Sequence, residues 1–184
     1  DEQPSQPRQL TDGFWMSKNE ITRGQWEAVM GTVAEGDGPA EAPATGISWS
    51  QCVEFVEKLN GSGEGEFALP TETQWEYACR PGTDTLFPFG EEPAPLPDHA
   101  WLRANVPDGS VQPGGKKSPN AWGLCDMLGN AWEWCADAYG SYTPDSARPL
   151  RGYRTIRGGS VDSTAMYLRP AFRCAMAEGQ GHPR

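Results

Sequence analysis

The chain has 184 residues, a length that suits one domain with a substantial hydrophobic core. Its formal net charge of −10 argues against nucleic acid as a partner, because phosphates call for a basic patch, and against an anionic membrane surface. No apolar run approaches the roughly 18 residues that a membrane-spanning helix needs. Hydrophobic residues make up 37%, with 22 Gly, 17 Pro and 8 Trp, which is typical of a loop-rich domain held together by aromatic side chains.

Cysteine and histidine usage limits the chemistry further. Five cysteines cannot all pair within one chain, and no group of residues has the spacing of a zinc site. Cys52, Cys79, Cys125 and Cys135 lie in apolar patterns, which favours buried free thiols, although a Cys125–Cys135 disulfide stays open. The chain opens on Asp1, which is compatible with a cleaved N-terminus and favours an extracytoplasmic location, periplasmic or at the cell surface.

The first half of the chain is predicted to be helical after a flexible lead-in at residues 1–10 and a short strand pair at residues 11–22. Each helix should start at a capping box, in which a Ser or Thr followed three residues later by Gln satisfies the N–H groups of the first turn. The three boxes are Thr22 with Gln25, Ser48 with Gln51, and Thr71 with Gln74. The helices should end at Gly31, at Asn60-Gly61 and at Pro81-Gly82.

The predicted helices are interpreted as structural. The second carries an apolar stripe at i, i+3, i+4 and i+7, and the third an apolar face. The residues of these faces are Cys52, Phe55, Val56 and Leu59, then Trp75, Ala78 and Cys79. From about residue 84 onward the helical periodicity disappears, and apolar clusters alternate with Gly, Pro, Asn and Asp. That pattern indicates irregular structure with a few short strands.

Residues 123–134, GLCDMLGNAWEW, concentrate two tryptophans, two glycines and the carboxylates of Asp126 and Glu133. One interpretation is a core segment with two buried indoles. The other is a site for a hard cation, because such ions prefer carboxylate and backbone carbonyl oxygens on a tightly turned chain. The residues alone leave both open.

Five motifs in this order resemble the formylglycine-generating-enzyme (sulfatase-modifying factor) family. They are GFWMSKNEITRGQWEAVMG (13–31), GISWSQCVEFVEKLN (46–60), LPTETQWEYACR (69–80), GLCDMLGNAWEWC (123–135) with RTIRGGS (154–160), and LRPAFR (168–173). The resemblance implies one domain over residues 1–184 with an α+β, C-type-lectin-like fold: few helices, a small twisted antiparallel sheet and much irregular loop. It also implies a GFR-type strand after this region, which we expect to be missing, since the chain stops at Arg184.

The resemblance places calcium ligands on Asp126, Gly129, Ala131 and Glu133, with the glycine and alanine contributing carbonyl oxygens. The family usually has Asn at the first position, and Asp keeps the oxygen. A structural Ca²⁺ is therefore expected, with a purely structural turn as the alternative.

Family members with oxidase activity bind Cu(I) through two thiolates between the RGGS and LRPAFR motifs, and soft thiolates select that ion. The matching positions here hold Ser163 and Leu168, allowing for a slip of one residue, and Cys174 comes after the second motif. Copper is therefore not expected, and we interpret the chain as not an enzyme. The alternatives are an oxidoreductase that uses acids such as Asp162 and Glu178, and a copper oxidase that recruits Cys174.

The segment that follows RGGS resembles the variable region of diversity-generating-retroelement proteins, which share this fold and present an exposed ligand-binding strip there. We predict a non-catalytic binding module, either a variable receptor or an accessory subunit of a larger assembly, with its contact surface in residues 160–184. The predicted contact residues are Val161, Asp162, Ser163, Thr164, Ala165, Met166, Tyr167, Phe172, Cys174, Met176, Glu178, Gln180 and His182. Candidate aromatic anchors are Trp101, Trp122, Tyr139, Tyr142 and Tyr153. The ligand or protein partner stays unidentified.

Overall fold

The computed structural model describes residues 8–141 and 148–181, which contain short helices, one three-stranded antiparallel sheet and long ordered loops. The elements in chain order are α1 (Arg23–Met30), α2 (Trp49–Gly61), α3 (Glu72–Cys79), α4 (Leu96–His99), β1 (Glu133–Ala138), β2 (Tyr153–Arg157), the 3-10 helix η1 (Ala165–Leu168) and β3 (Cys174–Ala177). The expected α+β class is confirmed. Among the described residues no helix is both long and apolar enough to cross a membrane.

All three predicted capping boxes are present at the helix starts. At α1, the Thr22 hydroxyl accepts a hydrogen bond from the backbone N–H of Gln25 at 3.2 Å, and the Gln25 side chain accepts one from the N–H of Thr22 at 2.9 Å. Ser48 and Thr71 form the same pair of bonds at α2 and α3. Helix α1 ends at Gly31 with φ +72°, a conformation that glycine adopts without steric cost.

The sheet has the order β1-β2-β3, and both strand pairs are antiparallel. Two indole N–H groups connect it to α2 and the residues before it. Trp49 donates to the carbonyl of Cys135 at 3.0 Å, and Trp134 donates to the carbonyl of Ile47 at 2.9 Å. These bonds satisfy the polar end of each indole while its apolar body is packed.

The main core lies between α3, the sheet and the loops that follow α3. Trp75, Ala78 and Cys79 of α3 are buried in it, as predicted, together with Cys135 and Leu168. A smaller core forms where α1 meets α2, and its centre is Trp26 stacked on Phe55. The predicted stripe of α2 is fully buried only at Phe55; Cys52, Val56 and Leu59 are half-buried.

One expectation about the chain needs correction. Residues 11–22 form no strand pair: the one bridge in this segment joins Thr22 to Pro43, and the segment hydrogen-bonds instead to distant loops, for example from Cys125 N–H to the carbonyl of Lys18. The favoured prediction of free thiols is confirmed for all five cysteines, and the Cys125–Cys135 disulfide, which the sequence left open, is not formed. In addition, the third strand of the sheet, Cys174–Ala177, comes from the segment that we assigned to the contact surface.

Candidate functional sites: a carboxylate loop and an aromatic strip

The loop at residues 126–133, which we call the carboxylate loop, follows a tight path with an unusual backbone. Asp126 and Asn130 both have φ +57°, a region that non-glycine residues seldom occupy. Gly129 has φ +80°, and a Cβ at this position would lie 2.1 Å from the carbonyl oxygen of Trp101. Strained backbone of this kind persists where the surrounding structure imposes it, which marks the loop as a candidate site.

The two predicted carboxylate ligands lie inside the loop. Asp126 is 2% exposed; its Oδ2 accepts a hydrogen bond from Gly115 N–H at 2.6 Å, while its Oδ1 is buried and has no hydrogen-bond partner among the described residues. The Trp75 indole donates to Glu133 Oε2 at 3.0 Å. Burial raises the pKa of Glu133 to about 7, the Trp75 bond opposes this rise, and the nearby Asp126 charge adds to it.

Glu20 is a third carboxylate at this site, and no motif in the sequence pointed to it. Its Oε1 accepts a hydrogen bond from Ala131 N–H at 2.9 Å, and its Oε2 accepts one from the Asn130 amide at 2.6 Å. Desolvation raises the pKa of Glu20 well above its usual value, and the charges of Glu133 and Asp126 raise it further. Three carboxylates therefore repel one another around one loop.

This donor set fits a hard cation such as Ca²⁺. The Oδ1 atom of Asp126 is a buried oxygen without a hydrogen-bond partner among the described residues. The carboxylates also repel one another, and a divalent ion would relieve this repulsion by neutralising their negative charge. Within the described ranges, no three His, Cys, Asp or Glu side chains come together as a metal cluster. A cation would therefore also need backbone carbonyls, such as those of Gly129 and Ala131.

Asn130 joins this loop to the predicted contact surface. It is fully buried; its side chain bonds to Glu20 and to the backbone of Gln112, and its carbonyl accepts a hydrogen bond from Val161 N–H at 3.0 Å. The predicted contact segment, which begins at Val161, is thus bonded directly to the carboxylate loop. Asn130 is the residue that connects the two.

Two predicted contact residues are buried, and their assignment is corrected. Val161 is 0% exposed and Ser163 is 7% exposed. The Ser163 hydroxyl accepts from Ser160 N–H at 3.0 Å, and Ser163 N–H donates to the Ser160 carbonyl at 2.9 Å, so these residues close a turn. Both residues support the surface and are not part of it.

The exposed part of the segment forms a compact patch on η1. Met166 is 64% exposed and Tyr167 is 43% exposed, with the exposed Asp162 and Thr164 just before them. The Tyr167 ring meets Phe172 edge-on at a centroid distance of 5.0 Å. The ring of Trp132, a residue of the carboxylate loop, lies 6.1 Å from that of Phe172. We call these six residues, Trp132, Asp162, Thr164, Met166, Tyr167 and Phe172, the aromatic strip.

Two buried arginines hold the backbone under the aromatic strip. Arg157 donates from Nη1 to the carbonyl of Phe172 at 2.8 Å and also pairs with Glu76. Arg173 donates to both oxygens of Glu72 at 2.6 and 2.7 Å and to the carbonyl of Gly140. Guanidinium groups bound at several points in this way fix the position of the chain that carries them.

The remaining predicted contact residues are not part of the aromatic strip. Ala165, Cys174 and Met176 are half-buried, and Gln180 is exposed near the described C-terminal end. Glu178 forms an ion pair with Arg154 at 2.8 Å, and Arg154 in turn stacks on Trp49, the first residue of α2. His182 lies outside the described residues.

The candidate aromatic anchors differ in exposure. Trp122 and Tyr153 are 49% and 38% exposed. Trp101 and Tyr139 are half-buried, the first under Lys117 and the second against Arg173. Tyr142 lies outside the described residues.

The side chains of the predicted contact segment offer little for thiol-based copper chemistry. Of the two positions that match the copper ligands of the oxidases, Ser163 closes a turn and Leu168 is fully buried in the main core. Cys174, the one thiol of the segment, lies in β3, and desolvation raises its pKa above the usual value. A raised pKa keeps the thiol protonated and weakly nucleophilic near neutral pH.

These features define an α+β domain of C-type-lectin-like fold, in which a carboxylate-bearing loop adjoins an exposed aromatic strip. The chain belongs to the FGE-sulfatase family, because the family model for the sulfatase-modifying factor enzyme 1-like domain matches residues 1–184.

Individual relatives span several protein types. The chain is 34% identical over 148 residues to the serine/threonine-protein kinase pkn1 of Chlamydia pneumoniae, which covers 75% of this chain and 21% of that protein. It is 33% identical over 161 residues to the formylglycine-generating enzyme of Bos taurus, covering 77% of this chain and 40% of the enzyme. Among solved structures, Treponema denticola variable protein 1 superimposes with a TM-score of 0.77 at 25% identity, over 89% of this chain and 79% of that one. The chain thus spans less than half the length of these two curated relatives.

Proposed function

We propose that this chain is a non-catalytic binding module whose contact surface is the aromatic strip. The observation that carries the proposal is the exposure of Met166 and Tyr167 on a short helix whose supporting residues, Leu168 and the backbone at Phe172, are fixed by the core and by Arg157. Exposed methionine and aromatic side chains on a rigid frame are the groups that dominate binding interfaces. A ligand or a partner protein fits this surface, and its identity stays open.

The similarity to variable protein 1 supports this proposal over an oxidase. That structure resembles the chain over most of its length, and the two positions where the family's oxidases would place copper thiolates carry a serine and a leucine. Both of these side chains face the interior here. An oxidoreductase that works without the thiolate pair is the alternative, and Asp162 and Glu178 would be its candidate acids.

We further propose that Ca²⁺ binds at the carboxylate loop through Asp126, Gly129, Ala131 and Glu133. Its role would be structural: the ion neutralises the carboxylates, and Asn130 transmits the resulting rigidity to Val161 at the base of the strip. The binding calorimetry of Ca²⁺ tests this directly. Asp126→Ala should abolish the calcium heat and the accompanying rise in melting temperature, whereas Asp98→Ala, at an exposed position of helix α4, should leave both unchanged.

The binding proposal is tested by selection followed by mapping. A random peptide library is selected on the immobilised wild-type domain, and the recovered peptides are titrated by fluorescence anisotropy against variants. The double variant Met166→Ser with Tyr167→Ser should lower the affinity of these peptides by about tenfold or more, since two apolar anchors are lost. Leu86→Ser, at a leucine exposed to a similar degree elsewhere, serves as the control. Peptides that bind the double variant as tightly as the wild type would contradict the proposal.

The enzymatic alternative is tested by Cu(I) titration against a competing chelator. We expect no tight stoichiometric uptake. Tight binding of one Cu(I) that is lost in Cys174→Ser would restore the oxidase interpretation.

A further inference from the structure

A second concave surface lies between α1 and α2 and shares no residue with the aromatic strip. It is an open cavity of about 390 Å³, a size within the roughly 300–1,000 Å³ range of natural ligand sites. Its apolar surface is provided by Trp26, Met30, Val33, Ala34 and Ile47. We call it the α1–α2 groove.

The floor of this groove is rigid, and one of its apolar residues is left uncovered. Trp26 is buried and stacks on Phe55 with a centroid distance of 5.2 Å and an interplanar angle of 2°. Val33, at the rim, is 59% exposed although it lies next to the buried Ala34. An apolar ligand group in the groove would cover Val33 and rest on an indole that does not need to move.

The wall that carries Glu35 is fixed by two glycines. Gly36 N–H donates to the carbonyl of Thr45 at 3.1 Å, and a Cβ at Gly36 would lie 1.8 Å from the Thr45 hydroxyl. A Cβ at Gly46, which also lines the groove, would lie 2.9 Å from the Cβ of Glu35. Only glycine allows the two segments this close, so the backbone beneath Glu35 is held in place.

The charges at the rim leave one carboxylate in excess. Glu54 pairs with Lys58 at 3.2 Å, and these two side chains balance each other. Glu35 forms no ion pair with any described residue. The groove therefore combines an apolar floor with a net negative rim, on a chain whose overall charge is −10.

We propose that the α1–α2 groove binds an exposed segment of a partner protein in which a large apolar side chain is next to a lysine or arginine. The apolar side chain covers Val33 and contacts the Trp26 floor, and the cation pairs with Glu35. A second copy of the chain is disfavoured as the occupant, because two molecules of charge −10 repel each other on approach. This is a second interaction surface, independent of the one proposed above.

The test uses labelled peptides of defined sequence in place of the partner. The probe is an octapeptide with one leucine–lysine pair in a glycine–serine background, compared with peptides in which serine replaces the leucine or glutamate replaces the lysine. Fluorescence anisotropy measures binding to the wild type, and methyl NMR locates it. We expect saturable binding of the leucine–lysine peptide with shifts at Val33, Ile47 and Met30, and no shift at Met166.

The variants are chosen at exposed positions so that the fold is retained, which thermal unfolding verifies. Val33→Ser should lower the affinity for the leucine–lysine peptide by about tenfold, because the peptide's leucine loses an apolar contact in the groove. Glu35→Lys should lower the affinity for the same peptide and raise the affinity for the leucine–glutamate peptide. A merely structural effect would not reverse the preference in this way. Leu86→Ser, at an exposed leucine outside both the groove and the aromatic strip, is the matched control and should change neither affinity.

Three outcomes would overturn the proposal. One is the lack of saturable binding by the leucine–lysine peptide. Another is equal affinity for the lysine and glutamate peptides, which would remove the role of Glu35. The third is a concentration-dependent dimer that Val33→Ser disrupts in sedimentation experiments, which would make a second copy the occupant.

Discussion

Glu72, the first residue of α3, and Arg173, the last residue before β3, form a buried two-point ion pair across 101 residues of sequence. Arg173 donates from Nε and Nη2 to the two carboxylate oxygens at 2.6 and 2.7 Å, and both side chains are almost fully buried. A second guanidinium, that of Arg157, lies 3.6 Å from the same carboxylate. This cluster connects the helix to the end of the aromatic strip.

Removal of one partner of this pair should be strongly destabilising. Arg173→Met leaves the Glu72 carboxylate buried with only the more distant Arg157, and such a loss typically costs about 3–5 kcal/mol. Urea denaturation followed by tryptophan fluorescence measures it. Lys58→Met breaks the exposed pair with Glu54 and should cost less than about 1 kcal/mol. Equal midpoints for the two variants would show that the buried pair adds no net stability.

Gly129 should be intolerant of any side chain. Gly129→Ala forces a Cβ to within 2.1 Å of the Trp101 carbonyl oxygen, and we expect a loss of more than about 3 kcal/mol of unfolding free energy. Gly123→Ala is the matched control: its φ is also positive, +83°, but no atom lies within 4 Å of a Cβ there. The control should lose only the backbone strain of about 1–2 kcal/mol. Similar losses in both variants would mean that the loop relaxes around Trp101.

The capping boxes predict a smaller, local effect. Thr71→Ala removes the hydroxyl that accepts from Gln74 N–H at 3.2 Å, and the usual cost of such a change is about 1 kcal/mol. Thr71→Ser keeps the hydroxyl and should retain most of that stability. A Thr71→Ser variant that is as unstable as Thr71→Ala would indicate that the methyl group matters, and not the cap.

The half-buried Cys52 thiol predicts a loss of stability at alkaline pH. Desolvation raises the pKa of Cys52 from 9.0 to about 12, so the folded state favours the protonated thiol. The stabilising effect is complete below pH 9 and is lost as the pH rises through 12, because the unfolded chain releases the proton first. Cys52→Ala should reduce the slope of stability against pH in this window by up to about 1.4 kcal/mol per unit. An unchanged slope would assign the alkaline loss to other groups, such as Cys79 and Cys135, whose pKa values burial also raises.

The helix starts were predictable because their signals are local. A capping box places donor and acceptor three residues apart, and all three predicted boxes form. The segment at residues 11–22 has the alternation of a strand pair but pairs with no strand in the described part of the chain, so tertiary contacts to Cys125 and Ala44 determine its path.

The site was only partly predictable for the same reason. Asp126, Gly129 and Glu133 lie close together in sequence, whereas Glu20 reaches the loop from 111 residues away, and nothing near Glu20 in the sequence indicates that contact. Residue type also did not indicate which residues of the segment after Ser160 are buried and which are exposed. Val161 and Ser163 alternate with Asp162 and Thr164, and only the hydrogen bonds to Asn130 and Ser160 determine which pair is buried.

The long-range bonds of this domain have a consequence for how it folds. The contacts of Glu72 with Arg173, of Glu20 with Ala131 and of Ile47 with Trp134 each close a loop of 87 to 111 residues. A topology dominated by such distant pairings reaches its native state slowly, on a scale of about milliseconds to seconds, because chain entropy is lost before the contacts form. The aromatic strip depends on one of these contacts, since Arg173 directly follows Phe172. We therefore expect its exposed methionine and tyrosine to reach a fixed arrangement only after Arg173 has paired with Glu72.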